Sequence, residues 1–508
     1  MKLIHQSDER SEHDLGDVPS KIEPDLLAWE ELESERKKEK FEDIKREKER
    51  LDEIKQRLDR VEEKLEDIKD GRPGFLESIK TIFSWRNYSV YLTTGWVYSA
   101  FSYLGLFFNL YFVTELFEGE YLLLGAALSI TNAIAALLRL GGGYVGDVVN
   151  RKHLSVLAML TLAIYNMIMG IFVEFTWVFI ALLFFSFLEV FKGGSSAYIM
   201  DNIPKKHSGL GLSLFQVGRL FGLAVLFSLV ILEPIFGFGP SLRFLFLVGG
   251  VALIVTSIIR AVFLEGKTPE ISRDGISLPR AFYQDNKRAF GLLVKTVPGM
   301  LAVVVIDSLS DALFSFGSYI YINEQVGIEI PGIIVMSLVT IIVTVPLMLT
   351  AGRLSDRFSL KKLSLAVYSI VPVCALLLVM SPIIPFWAPT SVINGAESLM
   401  IGLGAIFSTP FLAIILKSIN DSVWYLLLLI IIQKNLPRKD TAKILSVFWF
   451  TVWMFASVGP YLGGFVFQYF YKGDLFLIIL LLNLVILGWI ATKGLVRENK
   501  VGGNNGRI

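Results

Sequence analysis

The sequence predicts an all-α membrane protein of twelve transmembrane helices in two six-helix bundles, preceded by a charged cytoplasmic segment. Three observations predict it. Of 508 residues 53% are apolar and the mean hydropathy is +0.58, although residues 1–87 are strongly charged. The rest of the chain is too apolar for a water-soluble domain and divides into about a dozen stretches of bilayer length. A short motif occurs twice, around Gly143 and around Gly352, 209 residues apart, which implies a duplicated chain. Finally, basic residues crowd the loops on one side of the apolar stretches and are almost missing from the other, the asymmetry that sets membrane orientation.

The elements follow in order. Residues 1–25 are polar, contain Pro19 and Pro24, and are expected to be disordered. Residues 26–72 are built largely of Glu, Lys, Arg, Asp and Leu and end at Gly71-Arg72-Pro73-Gly74, a helix stop. Within them Ile44, Leu51, Leu58 and Leu65 recur at one heptad position, and Ile54, Val61 and Ile68 at the other. This is coiled-coil periodicity, broken early by Glu47. In a parallel self-pair Arg50 would meet Lys55 and Lys64 would meet Lys69. Residues 44–68 therefore suit a solvated helix packed on its own chain or on a protein partner as well as a self-association stalk. The amino terminus is too polar for a cleaved secretory signal, so the first apolar helix is expected to direct insertion.

Helices are predicted near 88–114, 121–146, 154–173, 176–200, 208–232 and 240–264, forming an N-terminal bundle over 85–264. A linker at 265–295 leads to a C-terminal bundle over 296–495, with helices near 296–322, 331–354, 362–381, 409–433, 444–467 and 474–494, and a tail at 496–508. Lys80, Arg86, Arg151, Lys152, Lys205, Lys206, Arg353 through Lys362, Lys434 through Lys443, Lys493 and Arg497 fall on one side. Glu115, Glu118, Glu120, Glu174, Glu233, Glu324 and Glu329 fall on the other. Both termini and the linker are thus expected in the cytoplasm, and the chain in the cell membrane as a multi-pass protein. Residues 382–408 do not fit the repeat. They are apolar but hold three prolines and Glu397, and a full extra crossing would reverse the loop at 437–440. They read as an outer-face or re-entrant segment.

A net charge of +1 argues against a nucleic-acid partner. The single Cys374 rules out an intrachain disulfide and a thiolate cluster. His5, His13, His153 and His207 are scattered through polar segments, which argues against a metal or histidine-based catalytic site. No G-x-x-x-x-G-K loop is present, so no nucleotide drive and no cofactor are expected beyond an ion gradient.

The first motif copy reads GGGYVGDVVNRKH, with Gly143, Asp147, Arg151 and Lys152; the second reads AGRLSDRFSLKK, with Gly352, Asp356, Arg357, Lys361 and Lys362. A glycine, a carboxylate four residues on and a basic cluster beyond it, once per half, resembles the loop after the second and eighth helices of the major facilitator superfamily. Val148, Asn150, Ser359 and Leu360 depart from the family pattern. The resemblance implies two six-helix bundles that rock about a central site. It also implies that Asp147 and Asp356, with their basic partners, steady one conformation without touching solute. The drug-antiporter signature of the family is broken: Glu189 and Lys192 stand where arginine and glutamine are usual, and only Gly193 fits.

Ionisable residues inside apolar spans are functional candidates, because a charge in the bilayer core costs several kcal/mol. Asp307 and Asp311 lie one turn apart on 296–322, and Glu189, Lys192, Arg219 and Arg139 lie in other spans. Glu189, Lys192 and Arg219 could pair between helices, and Glu189 with Lys192 locally; Arg139 reads as structural or snorkelling. Asp307 is the first choice for a proton-carrying group, with Asp311 and Glu189 behind it. Asn109, Tyr103 and Tyr111 offer polar groups on the first helix that suit a sugar or an amphipathic organic molecule equally. The expected activity is secondary transport of a small organic solute, proton-coupled, by alternating access. Efflux of lipophilic solutes, and a non-transporting sensor or scaffold recruiting partners through its charged helix, are the alternatives. An enzyme is not expected, because no nucleophile, base and orienting group converge.

Overall fold

A computed structural model describes residues 75–202, 214, 217–266, 278–354, 360–435, 441–493 and 495. The predicted coiled coil at 26–72 and the tails at 1–25 and 496–508 lie outside the described residues. Contacts divide the chain into residues 1–79, described only from 75, and residues 80–508, which hold all the spans. The described residues form no strand, only one isolated bridge between Phe386 and Ser408.

The first half contains α1 (Arg86–Leu116), α2 (Tyr121–Val148), α3 (Arg151–Ile171), α4 (Phe175–Asn202), α5 (Phe221–Phe236) and α6 (Phe238–Phe263). A connecting helix α7 (Leu278–Thr296) precedes α8 (Pro298–Glu324) and α9 (Ile330–Leu354). Then come α10 (Leu360–Tyr368), α11 (Ile370–Met380), α12 (Thr390–Leu399), α13 (Thr409–Asn435), α14 (Thr441–Ala456), α15 (Val458–Tyr469) and α16 (Asp474–Lys493). Among the described residues nine helical spans are long and apolar enough to cross a membrane; α5 and Ile330–Thr344 of α9 are apolar but shorter.

Proline explains two breaks. Pro372 and Pro460 lack an N–H and crowd the carbonyl four residues back, at Tyr368 and Ala456, where α10 and α14 end. The halves of each broken span continue as α11 and α15. Asn150, one of the motif departures, has a direct local cause: its Oδ1 accepts from Lys152 N at 3.0 Å and caps the first turn of α3.

The first half packs α3 on α6, α2 on α4 and α1 on α5 and α6; the second packs α13 and α16 on α11 and α8 on α16. The halves meet where α2 lies along α14 and α15. Glycine makes that approach possible. A Cβ on Gly125 would overlap the Pro460 carbonyl oxygen, and one on Gly464 the Tyr121 carbonyl oxygen. Small residues at such a crossing let backbones touch without side-chain spacers. Beside them Tyr461 N donates to Ser129 Oγ at 2.9 Å. At the same end Tyr121 Oη donates to Glu324 Oε2 at 2.7 Å, and Lys472 pairs with Glu324.

Residues 382–408 place a 3-10 turn, Leu403–Phe407, against α9, and α12 packs on that turn. Glu397 accepts from Gly402 N at 2.6 Å and Gly404 N at 2.9 Å. That contact spends both carboxylate oxygens of the segment's single charge on its own backbone, while Glu397 stays exposed.

Candidate functional site

Polar side chains gather where α1 of the first half faces α8, α9 and α13 of the second. They line a cavity of about 460 Å³ with Tyr103, Asn109, Ser318, Tyr319, Lys417 and Asp421 on its wall. The α1 backbone changes to a 3-10 turn at Tyr103–Phe107, and Asn109 follows it. Asn109 Nδ2 donates to the carbonyls of Ser315 and Phe316, both at 3.3 Å, which ties the two halves together at the cavity.

One charged cluster borders this space. Lys417 is 4% exposed, and its Nζ donates to Asp311 Oδ1 at 2.7 Å and to Asp421. Lys417 and Asp421 are four residues apart on α13, so a single helical face carries both. A buried ammonium needs such compensation, because desolvation without it costs several kcal/mol.

Asp307, one turn before Asp311, turns away into the packing of α8, α10, α13 and α16. It is 6% exposed. Trp424 Nε1 donates to its Oδ2 at 2.8 Å, and Tyr368 Oη lies 2.8 Å from its Oδ1. Tyr368 Oη is also 2.6 Å from Asn483 Oδ1. The Asn483 amide donates to Ile479 O and Ser310 Oγ, both at 2.7 Å. Because a backbone carbonyl only accepts, Ile479 fixes that amide with its oxygen toward Tyr368.

The structure distributes the other sequence candidates as follows. Glu189 Oε1 accepts from Lys192 Nζ at 3.2 Å, and Glu189 Oε2 lies 2.8 Å from Arg139 Nη2. The guanidinium N–H is not aligned on that oxygen, so the Arg139 contact is electrostatic. Arg139 also lies over the Trp453 ring at 5.0 Å, reaching the second half. Lys192 thus takes the local pairing with Glu189 that their spacing allows, and the Arg219 side chain lies outside the described residues. Gly143 lies in α2, Gly352 in α9, and Arg151 and Lys152 open α3, while the side chains of Asp147, Asp356, Arg357 and Lys361 lie outside the described residues.

Lys417, Asp421 and Arg260 were missed. All three sit inside predicted spans at 409–433 and 240–264, so the rule that selected Asp307 applies to them equally. Arg260 is 3% exposed and donates to Thr94 Oγ1 at 2.8 Å, Ser155 Oγ at 2.7 Å and Tyr91 O at 3.1 Å. Its plane stacks on Tyr91 at 4.2 Å, so α1, α3 and α6 share one cation. Among the described residues no group of three or more His, Cys, Asp and Glu could hold a metal.

The sequence matches the model of the Major Facilitator Superfamily over residues 90–423. The fold is similar to that of the nucleoside transporter NupG, with TM-score 0.57, 14% identity, and coverage of 80% of this chain and 97% of that one. It is also similar to a POT family transporter solved with 5-aminolevulinic acid, with TM-score 0.57, 14% identity, and coverage of 80% and 95%. A peptide transporter of the POT type matches with TM-score 0.56, 13% identity, and coverage of 82% and 96%. Among curated protein sequences no match is found.

Proposed function

Because the chain belongs to the major facilitator superfamily, and so is a membrane transporter and not an enzyme, we propose that it is a proton-coupled secondary transporter of a small polar organic solute. The observation that carries this reading is the cavity between the two halves, with the buried Lys417 pinned between Asp311 and Asp421 at its edge. A site shared by two packed halves changes access when one half rocks against the other. The twelve crossings are the nine apolar spans together with α5, α9 and α13. Both termini are cytoplasmic, following the loop charges.

Asp307 is the proton carrier. One hydroxyl proton on Tyr368 cannot serve both Asp307 and Asn483. If Tyr368 donates to Asn483, the proton in the 2.8 Å contact comes from the Asp307 carboxyl. If Tyr368 donates to Asp307, two accepting oxygens face each other at 2.6 Å. Loading and unloading Asp307 thus reverses the hydroxyl between α8 and α16. Tyr368 faces Asp307 from α10 and Trp424 from α13, and Asn483 on α16 meets Tyr368, while Asp311 lies one turn away with Lys417 and Asp421 beyond it. A proton at Asp307 therefore changes the charge next to the cavity wall. Asp147 and Asp356 bias the two arrangements without touching solute.

Counterflow into proteoliposomes tests the proposal. Saturable exchange of a solute, with uphill accumulation when a pH gradient is imposed, is expected. Lack of flux across broad panels of nucleosides, sugars, peptides and amines would favour a sensor or scaffold instead.

A further inference from the structure

Six of the nine hydroxyls on the cavity wall have their protons committed; those of Tyr103, Ser315 and Ser318 stand apart from this set. Thr340 Oγ1 donates to Met336 O at 2.7 Å, Thr344 Oγ1 to Thr340 O at 2.6 Å, and Ser422 Oγ to Ser418 O at 2.9 Å. Each hydroxyl has a single proton, and a carbonyl returns none. Thr344 has therefore none left for Ser418, 3.1 Å away, and Ser418 must donate to Thr344. Ser337 Oγ has Ile333 O and Tyr319 Oη both at 2.9 Å. The carbonyl takes the serine proton, so the Tyr319 hydroxyl donates to Ser337. Asn109 spends its Nδ2 on two backbone carbonyls and keeps its Oδ1 as an acceptor. Six hydroxyls and one amide thus offer lone pairs.

Charge points the same way. The described cluster at the wall holds two carboxylates and one ammonium, and the ammonium is the buried member. The Asp421 side chain is 47% exposed and lines the cavity. An anionic solute would meet a carboxylate and a wall of acceptors. A neutral polyol would find partners for its protons but few for its own oxygens. An ammonium brings three donors and a positive charge, and a charge-assisted hydrogen bond is about twice as strong as a neutral one.

We propose that the cavity takes a small organic solute bearing an ammonium group, with that group on Asp421 and further hydroxyl or amine donors facing α9 and α13. This rests on the transporter reading above. A volume near 460 Å³ falls within the roughly 300–1,000 Å³ of small-molecule sites.

The test compares matched solutes on three skeletons, using thermal stabilisation and counterflow of the full-length protein. The sets are glucosamine, glucose and gluconate; 5-aminopentanol, 1,5-pentanediol and 5-hydroxypentanoate; and phenethylamine, 2-phenylethanol and phenylacetate. On whichever skeleton acts, the ammonium member should half-saturate at a concentration at least tenfold lower than its neutral partner. Asp421→Asn should reduce that preference to within about twofold, and Asp421→Glu should restore it. The asparagine variant leaves Lys417 paired with Asp311, so it has a folded state to be tested in. A neutral or anionic solute that binds best, in this panel or a broader one, would overturn the substrate class while leaving transport intact. So would an ammonium preference unchanged in Asp421→Asn. An absence of saturable exchange for every solute would overturn the transporter reading and this one with it.

Discussion

Asp311 Oδ1 lies 2.7 Å from Lys417 Nζ, and this contact ties α8 to α13 beside the cavity. Lys417→Met removes the cation and leaves Asp311 and Asp421 without their shared counter-charge. The carboxylates left behind are 41% and 47% exposed, so the loss should be smaller than the roughly 3–5 kcal/mol of a fully buried pair broken from one side. The variant should unfold below the parent protein in detergent. Lys417→Met combined with Asp311→Asn should regain part of that loss, since one orphaned carboxylate is gone. Equal stability of the two variants would show that the pair is not energetically coupled.

Asp307→Asn should separate coupling from exchange. An asparagine amide can donate to Tyr368 and accept from Trp424, so it imitates the protonated acid at nearly constant shape. Stability should change by less than about 1 kcal/mol, as for a replaced buried hydrogen bond of similar geometry. Exchange of solute at equal pH should persist, while accumulation driven by a pH gradient should vanish. Uphill transport that survives intact would place the coupling proton elsewhere.

Arg260→Lys tests a cation of a different kind. The arginine serves four acceptors on α1 and α3 with one planar group, and a lysine cannot reach them in that fork. Leaving buried acceptors unmet costs about 1–3 kcal/mol each. Thermal stability should fall by several degrees, with the half-saturating solute concentration changed less than about twofold. A large loss of affinity at normal stability would place Arg260 in the binding path.

Hydropathy made the apolar spans and the duplicated motif legible, because lipid demands long apolar helices whatever their partners. Proline marks the breaks before α11 and α15, yet Pro234 and Pro346 lie inside unbroken α5 and α9, so proline alone does not locate a break. The site was only half legible. Asp307 and Asp311 stood out as charges in an apolar run, yet Lys417 and Asp421 satisfy the same rule and were passed over. Their pairing with Asp311 depends on which faces of α8 and α13 meet, which periodicity within one helix cannot say. Glu189 shows the same limit: its partner Arg139 is 50 residues away in sequence and reaches it only through the α2–α4 contact.

The motif carboxylates carry a kinetic prediction. Asp147 and Asp356 fall at the basic ends of α2 and α9, away from the cavity wall in sequence register. Replacing either with alanine should slow exchange by about tenfold, a barrier change near 1.4 kcal/mol. The half-saturating solute concentration should stay within a few-fold. Loss of binding with normal exchange rates would instead make them part of the solute site.

Gly125 carries the prediction about access. The α2–α15 crossing is closed so tightly that the position of a Gly125 Cβ is already occupied by the Pro460 carbonyl. Neither partner is a flexible side chain, so Gly125→Ala has to move one helix against the other. The strain falls only on arrangements in which this end of the halves is shut. The substitution should therefore favour the arrangement open at the Tyr121–Glu324–Lys472 end. Cys374 is buried and is the sequence's single cysteine, so Cys374→Ser with Asn109→Cys gives one reporter in the cavity. A membrane-impermeant maleimide added from that end should label the Gly125→Ala form several-fold faster than its Gly125 parent. Gly464→Ala, which meets the Tyr121 carbonyl from the opposite helix, should do the same. Unchanged labelling in both would mean that this crossing stays closed through the cycle and that access is controlled elsewhere.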